Sequence, residues 1–516
     1  MTEHPRPPQQ AAAPRIPAGP LIPEAPAAQA AAPGIPAGPH SPEIPAAQGA
    51  PAAPAVRVPP VRRWHAELAW LPGRGVMPDV LIEAAGDRFT AVRPAASGTE
   101  LAGAARLPGL TLPGLANAHS HAFHRALRGI TQAGHGTFWT WRDRMYELAG
   151  RLDPASYLAL ARAVYAEMAL AGITCVGEFH YLHHRPDGSP YADPNELGKA
   201  MIAAAAAAGI RITLLDTCYL SGGLDRTGSP LPLAGPQVRF GDGDADQWAA
   251  RAAALGADLH GMLGPLARVG AAIHSVRAVP PDQLHPVIAW AQHYGAPLHA
   301  HLSEQTAENL ACVAAYRKTP AEVLYDAGAL GPRSTMVHAT HLASRDIDLL
   351  GGSRAVACFC PTTEADLADG IGPARALASA GCGLSLGTDS QAVIDLFEEA
   401  RRLELGERLA TRRRGHFTAA ELAGAATVAG HACLGWPDAG EIVPGALADL
   451  VTVGLDSPRL AGASLATVLE SVIFAAAAAD VRHVVASGTD VVRDGTHLLI
   501  EDVPAALSES VRAVLD

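Results

Sequence analysis

Asn117-Ala118-His119-Ser120-His121 ends an apolar run from Leu110 to Leu115 and places two histidines at i and i+2. On a strand that spacing sends both imidazoles to one face, where they offer two nitrogen ligands to one divalent metal. Taken alone, the pair reads more readily as surface or satisfied core histidines than as metal ligands. Three further strand-like segments shift the balance. Pro297-Leu298-His299-Ala300-His301-Leu302-Ser303-Glu304 adds an imidazole with a carboxylate three residues later; Thr335-Met336-Val337-His338 adds another imidazole; Leu384-Ser385-Leu386-Gly387-Thr388-Asp389 ends in an aspartate. Three histidines and an aspartate make a site for zinc or another first-row metal with room left for water. A histidine, a glutamate and the aspartate remain for proton transfer.

Outward from that stretch, strand-like segments begin at Leu115, Ile173, Ile210, Val269, Pro297, Thr335, Ala355 and Gly383, separated by Ala- and Leu-rich helical stretches such as Ala155 to Leu170 and Glu196 to Ala208. This alternation predicts an α/β architecture, a (β/α)8 TIM-like barrel over residues 114–440. Catalytic groups of that fold lie at the C-terminal ends of the strands, where His119, His121, His274, His301, His338 and Asp389 all fall. Short alternating segments over 58–113 return over 441–516, so both chain ends are expected to build one small β-sandwich domain. Residues 1–57 are rich in Pro, Ala, Gly and Gln, and Ile16-Pro17-Ala18-Gly19-Pro20 recurs as Ile35-Pro36-Ala37-Gly38-Pro39. Such a composition cannot bury a core and predicts a disordered, inert extension; its polyproline segments leave partner binding as the alternative.

The 516 residues carry 39 Lys+Arg against 51 Asp+Glu, a net charge of -12, which argues against nucleic acid or an anionic membrane as partner. The seven cysteines (175, 218, 312, 358, 360, 382 and 433) are scattered, as expected of reduced core thiols in a cytoplasmic protein. Cys358 and Cys360 form a C-x-C that could bind metal, but two small core residues on one strand is the preferred reading. No signal-peptide pattern or membrane-length apolar run is present, so the chain is expected to be soluble and cytoplasmic.

The histidine pair on the first strand, His301-x-x-Glu304, His338, Asp389 and the segment Pro444-Gly445-Ala446-Leu447-Ala448-Asp449-Leu450 together resemble the amidohydrolase superfamily, in its mononuclear deaminase branch, from about residue 60 to the end. Within that branch the chain is most similar to the formimidoylglutamate deiminases. The stretches that carry this are His119 to Leu127, Phe138-Trp139-Thr140-Trp141-Arg142, Glu178 to His184, His274-Ser275-Val276-Arg277-Ala278-Val279, His301 to Gln305, and Cys360-Pro361-Thr362-Thr363-Glu364-Ala365. One departure is His124, where the family often has glutamine.

The resemblance implies hydrolysis of N-formimidoyl-L-glutamate to N-formyl-L-glutamate and ammonia in histidine degradation, by a small-molecule enzyme that is a homodimer. It implies one divalent metal ion per subunit, zinc, held by His119, His121, His301 and Asp389. Asp389 and His338 would take the proton of the attacking water, and Glu304 would protonate the leaving nitrogen. The substrate carboxylates would meet Arg277, then Tyr181, His274 and His124, with Trp141 and Arg142 at the mouth. Without the resemblance, a solvated loop arginine is the preferred reading of Arg277.

Three other readings compete. A deaminase or chlorohydrolase of the same superfamily would act on a heterocycle such as guanine, which has no carboxylate for Arg277. A binuclear hydrolase would need a carboxylated lysine at the end of the fourth strand, and neither Lys199 nor Lys318 falls there. A catalytically silent relative would only bind a ligand, yet every acid, base and ligand position is filled.

Overall fold

The computed structural model describes residues 61–94, 96–225, 227–262 and 266–516. The Pro- and Ala-rich segment 1–57, with its expected disorder, lies outside them. The chain opens with β1 (Val61–Leu71), β2 (Gly75–Ala85), β3 (Arg88–Arg93) and β4 (Ala105–Pro113). Gly86 takes a φ of +63° in the two-residue turn from β2 to β3, a backbone shape that costs a residue with a Cβ.

The barrel follows as β5 (Leu115–Ser120), β6 (Ile173–His180) and β7 (Arg211–Cys218). After the short hairpin β8 (Gly223–Leu224) and β9 (Pro230–Leu231) it continues as β10 (Ala267–Ile273), β11 (Leu298–Leu302), β12 (Ser334–His338), β13 (Val356–Phe359) and β14 (Gly383–Leu386). Each barrel strand pairs in parallel with the next. Their starts fall within two residues of those read from the sequence. β6 and β7 are buried along their whole length, as expected of parallel strands covered by helices on one face and filled from the barrel interior on the other.

Closure between β14 and β5 is made by the residues of the expected metal site. The amides of Thr388 and Asp389 donate to the His119 carbonyl at 3.1 and 3.0 Å, and the His121 amide donates to the Asp389 carbonyl at 3.1 Å. A Cβ at Gly387 would lie 2.8 Å from the Cβ and carbonyl oxygen of His119, so only glycine lets the last strand approach the first this closely.

The remaining strands, β15 (Leu450–Val453), β16 (Val481–Ala486), β17 (Thr489–Arg493) and β18 (Thr496–His497), join β1–β4 in one eight-stranded sheet. The two chain ends meet where β15 runs antiparallel to β4, Val451 opposite Leu112. Trp64, Ile82, Phe89, Leu107, Leu450 and Val485 pack its core. Buried Asp449, just before β15, fastens this sheet to the barrel. It accepts from the Arg211 guanidinium (Nη1 at 2.8 Å), from Thr174 Oγ1 at 3.2 Å and from the Ser487 amide at 2.8 Å. All seven cysteines are buried and free, as read from the sequence. Among the described residues no helix is long and apolar enough to cross a membrane.

Candidate active site

At the C-terminal mouth of the barrel, one ligand atom each from His119, His121, His301 and Asp389 falls within 4.8 Å of all the others, and all four residues are buried. His119 Nε2 and His121 Nε2 lie 3.2 and 3.4 Å from Asp389 Oδ1, and His119 Nε2 lies 3.2 Å from His301 Nε2. The tautomers follow from the other ring nitrogens. His121 Nδ1 is 2.9 Å from the Phe179 carbonyl and His301 Nδ1 is 2.9 Å from the His274 carbonyl. A carbonyl oxygen only accepts, so each Nδ1 carries the proton and each Nε2 turns a lone pair inward.

Burial, reinforced by neighbouring imidazoles, holds His121 and His301 well below the ordinary histidine pKa, and burial lowers His119 against the pull of Asp389. Burial would raise Asp389, but the His119 and His338 rings outweigh it and keep the carboxylate ionised. Neutral nitrogens converging on a buried carboxylate oxygen are the donor set a divalent metal needs, and among the described residues His119 Nδ1 is buried with no protein partner, so nothing else claims that ring. The residues fit the metal.

His338 and Glu304 stand beside this cluster. His338 Nε2 is 3.8 Å from Glu304 Oε1 and 4.0 Å from Asp389 Oδ2. Burial alone would lower the His338 pKa, but the Glu304, Glu364 and Asp389 carboxylates hold it well above the usual value. Glu304 is shifted upward by burial, against the pull of His338 and Arg277. Ser303, His338 and Asp389 have φ of +51°, +68° and +41°, so three of the strand ends that aim these side chains are in the left-handed region. Non-glycine residues persist there only when the surroundings over-determine them, a pattern that clusters at active sites.

Polar contacts behind the cluster hold it in place. Asn117 Nδ2 donates to Thr388 Oγ1 at 2.7 Å and Asn117 Oδ1 accepts from the Thr388 amide at 2.9 Å, stitching β5 to the loop that carries Asp389. Glu178, whose pKa burial pushes up to about 7, accepts from Ser120 Oγ and the Ala122 amide, both at 2.7 Å. Sequence reasoning assigned no role to Asn117, Glu178 or Glu364. All three lie within quoted stretches, but the contacts that tie them to the site residues and their neighbours span 26 to 271 residues.

The expected substrate residues share one cavity that opens on His301, Glu304, His338 and Asp389. Tyr181 OH is 3.1 Å from His124 Nε2, and burial pushes His124 down to about 3, so that ring is neutral. His274, also held neutral by burial, stacks edge-on to Tyr219 at 4.3 Å. Trp141 and Arg142 line the same cavity, and the Arg142 guanidinium lies over the Trp139 ring at 4.5 Å. Arg277 is not a solvated loop residue: its side chain is 16% exposed and borders both this cavity and the cleft of about 590 Å³ outside it. Its Nε sits 3.8 Å from Glu308 Oε1, beyond hydrogen-bond range. Burial opposes its charge, but Glu308 keeps the guanidinium ionised. The structure thus brings together every site residue expected from the sequence.

The amidohydrolase family matches residues 110–491. The chain belongs to the amidohydrolase family. The formimidoylglutamate deiminase of Pseudomonas aeruginosa is 38% identical to this amidohydrolase over 462 residues, 87% of this chain and 99% of that protein. Among solved structures, an amidohydrolase from Brucella melitensis superposes with a TM-score of 0.80 at 33% identity, over 88% of this chain and all of that one. An adenosine deaminase from Xanthomonas campestris, with bound zinc, gives a TM-score of 0.73 at 25% identity over 88% and 97% of the two chains. The amidohydrolase is accordingly a hydrolase of C–N bonds.

Proposed function

We propose that this amidohydrolase converts N-formimidoyl-L-glutamate and water to N-formyl-L-glutamate and ammonia, as a step of histidine degradation, with one zinc ion per subunit. The observation that carries the reading is the place of Arg277. A largely buried, charged guanidinium borders the cavity that holds Glu304 and His338, and a purine offers no carboxylate for it. Arg142, which lines the same cavity, supplies a second cation for a substrate with two carboxylates. The similarity to the Pseudomonas aeruginosa formimidoylglutamate deiminase supports the same substrate.

His119, His121, His301 and Asp389 would hold the metal, which when bound supplies Lewis acidity for activating water at neutral pH. Asp389 accepts the proton of the attacking water at Oδ2. His338 Nε2, 4.0 Å from that oxygen, orients the nucleophile towards the formimidoyl carbon. Glu304, three residues after His301 and raised in pKa by burial, carries the proton to the amidine nitrogen, and the C–N bond breaks to release ammonia. Tyr181 and His274, both uncharged, offer hydrogen bonds to the substrate without competing for its carboxylates, and His124 orients the Tyr181 hydroxyl.

Ammonia release measured on a panel of formimidoyl amino acids, guanine and adenosine tests the reading. The expected result is turnover of formimidoylglutamate above every other member, and a purine as the best substrate would overturn it.

A further inference from the structure

Helix Pro361–Asp366, directly after β13, reaches back to the proton-transfer residues. It is pinned on two sides. The Thr362 amide donates to buried Glu399 Oε2 at 2.9 Å, and Thr363 Oγ1 pairs with Ser390 Oγ at 3.0 Å, one residue from Asp389. Glu364, 4% exposed, projects from this clamped helix. Its Oε1 accepts from the Cys360 amide at 2.9 Å and stands 3.4 Å from His338 Nδ1.

The backbone of His338 sits at a φ of +68°, so regular strand geometry does not aim its ring. Among the described residues, Glu364 Oε1 is the one side-chain acceptor recorded for His338 Nδ1. With Nδ1 on Glu364, the opposite edge of the ring presents Nε2 to Glu304 and Asp389.

We propose that Glu364 is a positioning residue: by fixing His338 Nδ1 from a clamped helix, it sets the angle at which Nε2 meets the attacking water. The kinetic part of this proposal rests on the proposed function; the contact itself does not. The carboxylate also caps the helix through the Cys360 amide, and a purely structural role would stop there.

The test separates the two roles. Glu364→Met keeps the side chain's length and removes the acceptor. With saturating metal, kcat should fall roughly 10–100-fold, a usual range for losing an orienting partner, with KM nearly unchanged. Glu364→Gln, whose amide oxygen still accepts, should recover most of that loss. In a His338→Asn background Glu364→Met should cost little more, because a residue acting through His338 has nothing left to position. A wild-type kcat in Glu364→Met, or an equally deep loss in both backgrounds, would overturn the proposal.

A substrate-free measurement stands beside the kinetics. In ¹H–¹⁵N spectra of histidine-labelled protein, the His338 Nδ1 proton, identified by its absence in His338→Asn, should move on Glu364→Gln as a neutral acceptor replaces a carboxylate. An unmoved resonance rules out the contact even if Glu364→Met does not fold. If wild type turns over no member of the substrate panel, the functional reading fails and the spectrum alone judges Glu364.

Discussion

His119 and His301 face each other through their Nε2 atoms at 3.2 Å, although His301 has committed its Nδ1 proton to the His274 carbonyl. With Nδ1 protonated, the neutral His301 ring turns its Nε2 lone pair towards His119 and Asp389, in the cluster of four ligand atoms that suits a divalent cation. Removing either His301 or Asp389 as alanine should therefore abolish both turnover and metal retention. The metal-to-protein ratio after gel filtration checks this, and full stoichiometry in both variants would refute the assigned ligand set.

Glu304→Gln keeps the shape of the side chain but cannot carry a proton to the leaving nitrogen. Turnover should fall by roughly 10²–10⁴ while the metal stays bound. Single-turnover kinetics with metal analysis on the same sample reads both quantities, and near-normal turnover would exclude Glu304 as the acid.

If Arg277 anchors a substrate carboxylate as proposed, Arg277→Met removes a charge-assisted bond worth about 1.5–3 kcal/mol, and kcat/KM for formimidoylglutamate should drop at least about tenfold. Arg277→Lys should recover only part, because an ammonium lacks the guanidinium's two-pronged geometry. An uncharged formamidine is the control. Equal losses on charged and uncharged substrates would make Arg277 a structural residue.

Asp449→Asn should destabilise the fold by about 3–5 kcal/mol, because it leaves the Arg211 guanidinium buried without its counter-charge. Urea unfolding measures the change. Burial would raise the Asp449 pKa, but Arg211 outweighs it and holds the carboxyl below its ordinary range. The folded pKa is thus below the unfolded one, so this stabilisation is complete above the unfolded value and is lost as pH falls through the folded one. The stability gap between wild type and Asp449→Asn should accordingly narrow in acid, and a gap that widens there would refute the assignment.

The sequence by itself determined the barrel and which four residues, His119, His121, His301 and Asp389, would meet at its mouth. Strand spacing is a local signal: apolar runs of one strand's length, separated by Ala- and Leu-rich helical stretches, dictate parallel strands wherever the chain later carries them. Two histidines at i and i+2 are local as well, since strand geometry alone puts them on one face. His301 and Asp389 were legible because a barrel gathers its strand ends at one mouth.

Only the tertiary structure decided how those groups are held. The pairing of Asn117 with Thr388 spans 271 residues, and that of His338 with Glu364 spans 26. Such contacts depend on how loops pack after closure, and no periodicity encodes them. Arg277 shows the same limit. Its sequence neighbours suit a solvated loop as well as a site, and the low exposure and shared cavity that distinguish the two arise when the segments after β7 and β11 place Tyr219, Glu304 and Glu308 around it. Chain-local geometry fixes which face a side chain takes; its charge state and its partner are set by burial, and burial exists only once the barrel has closed.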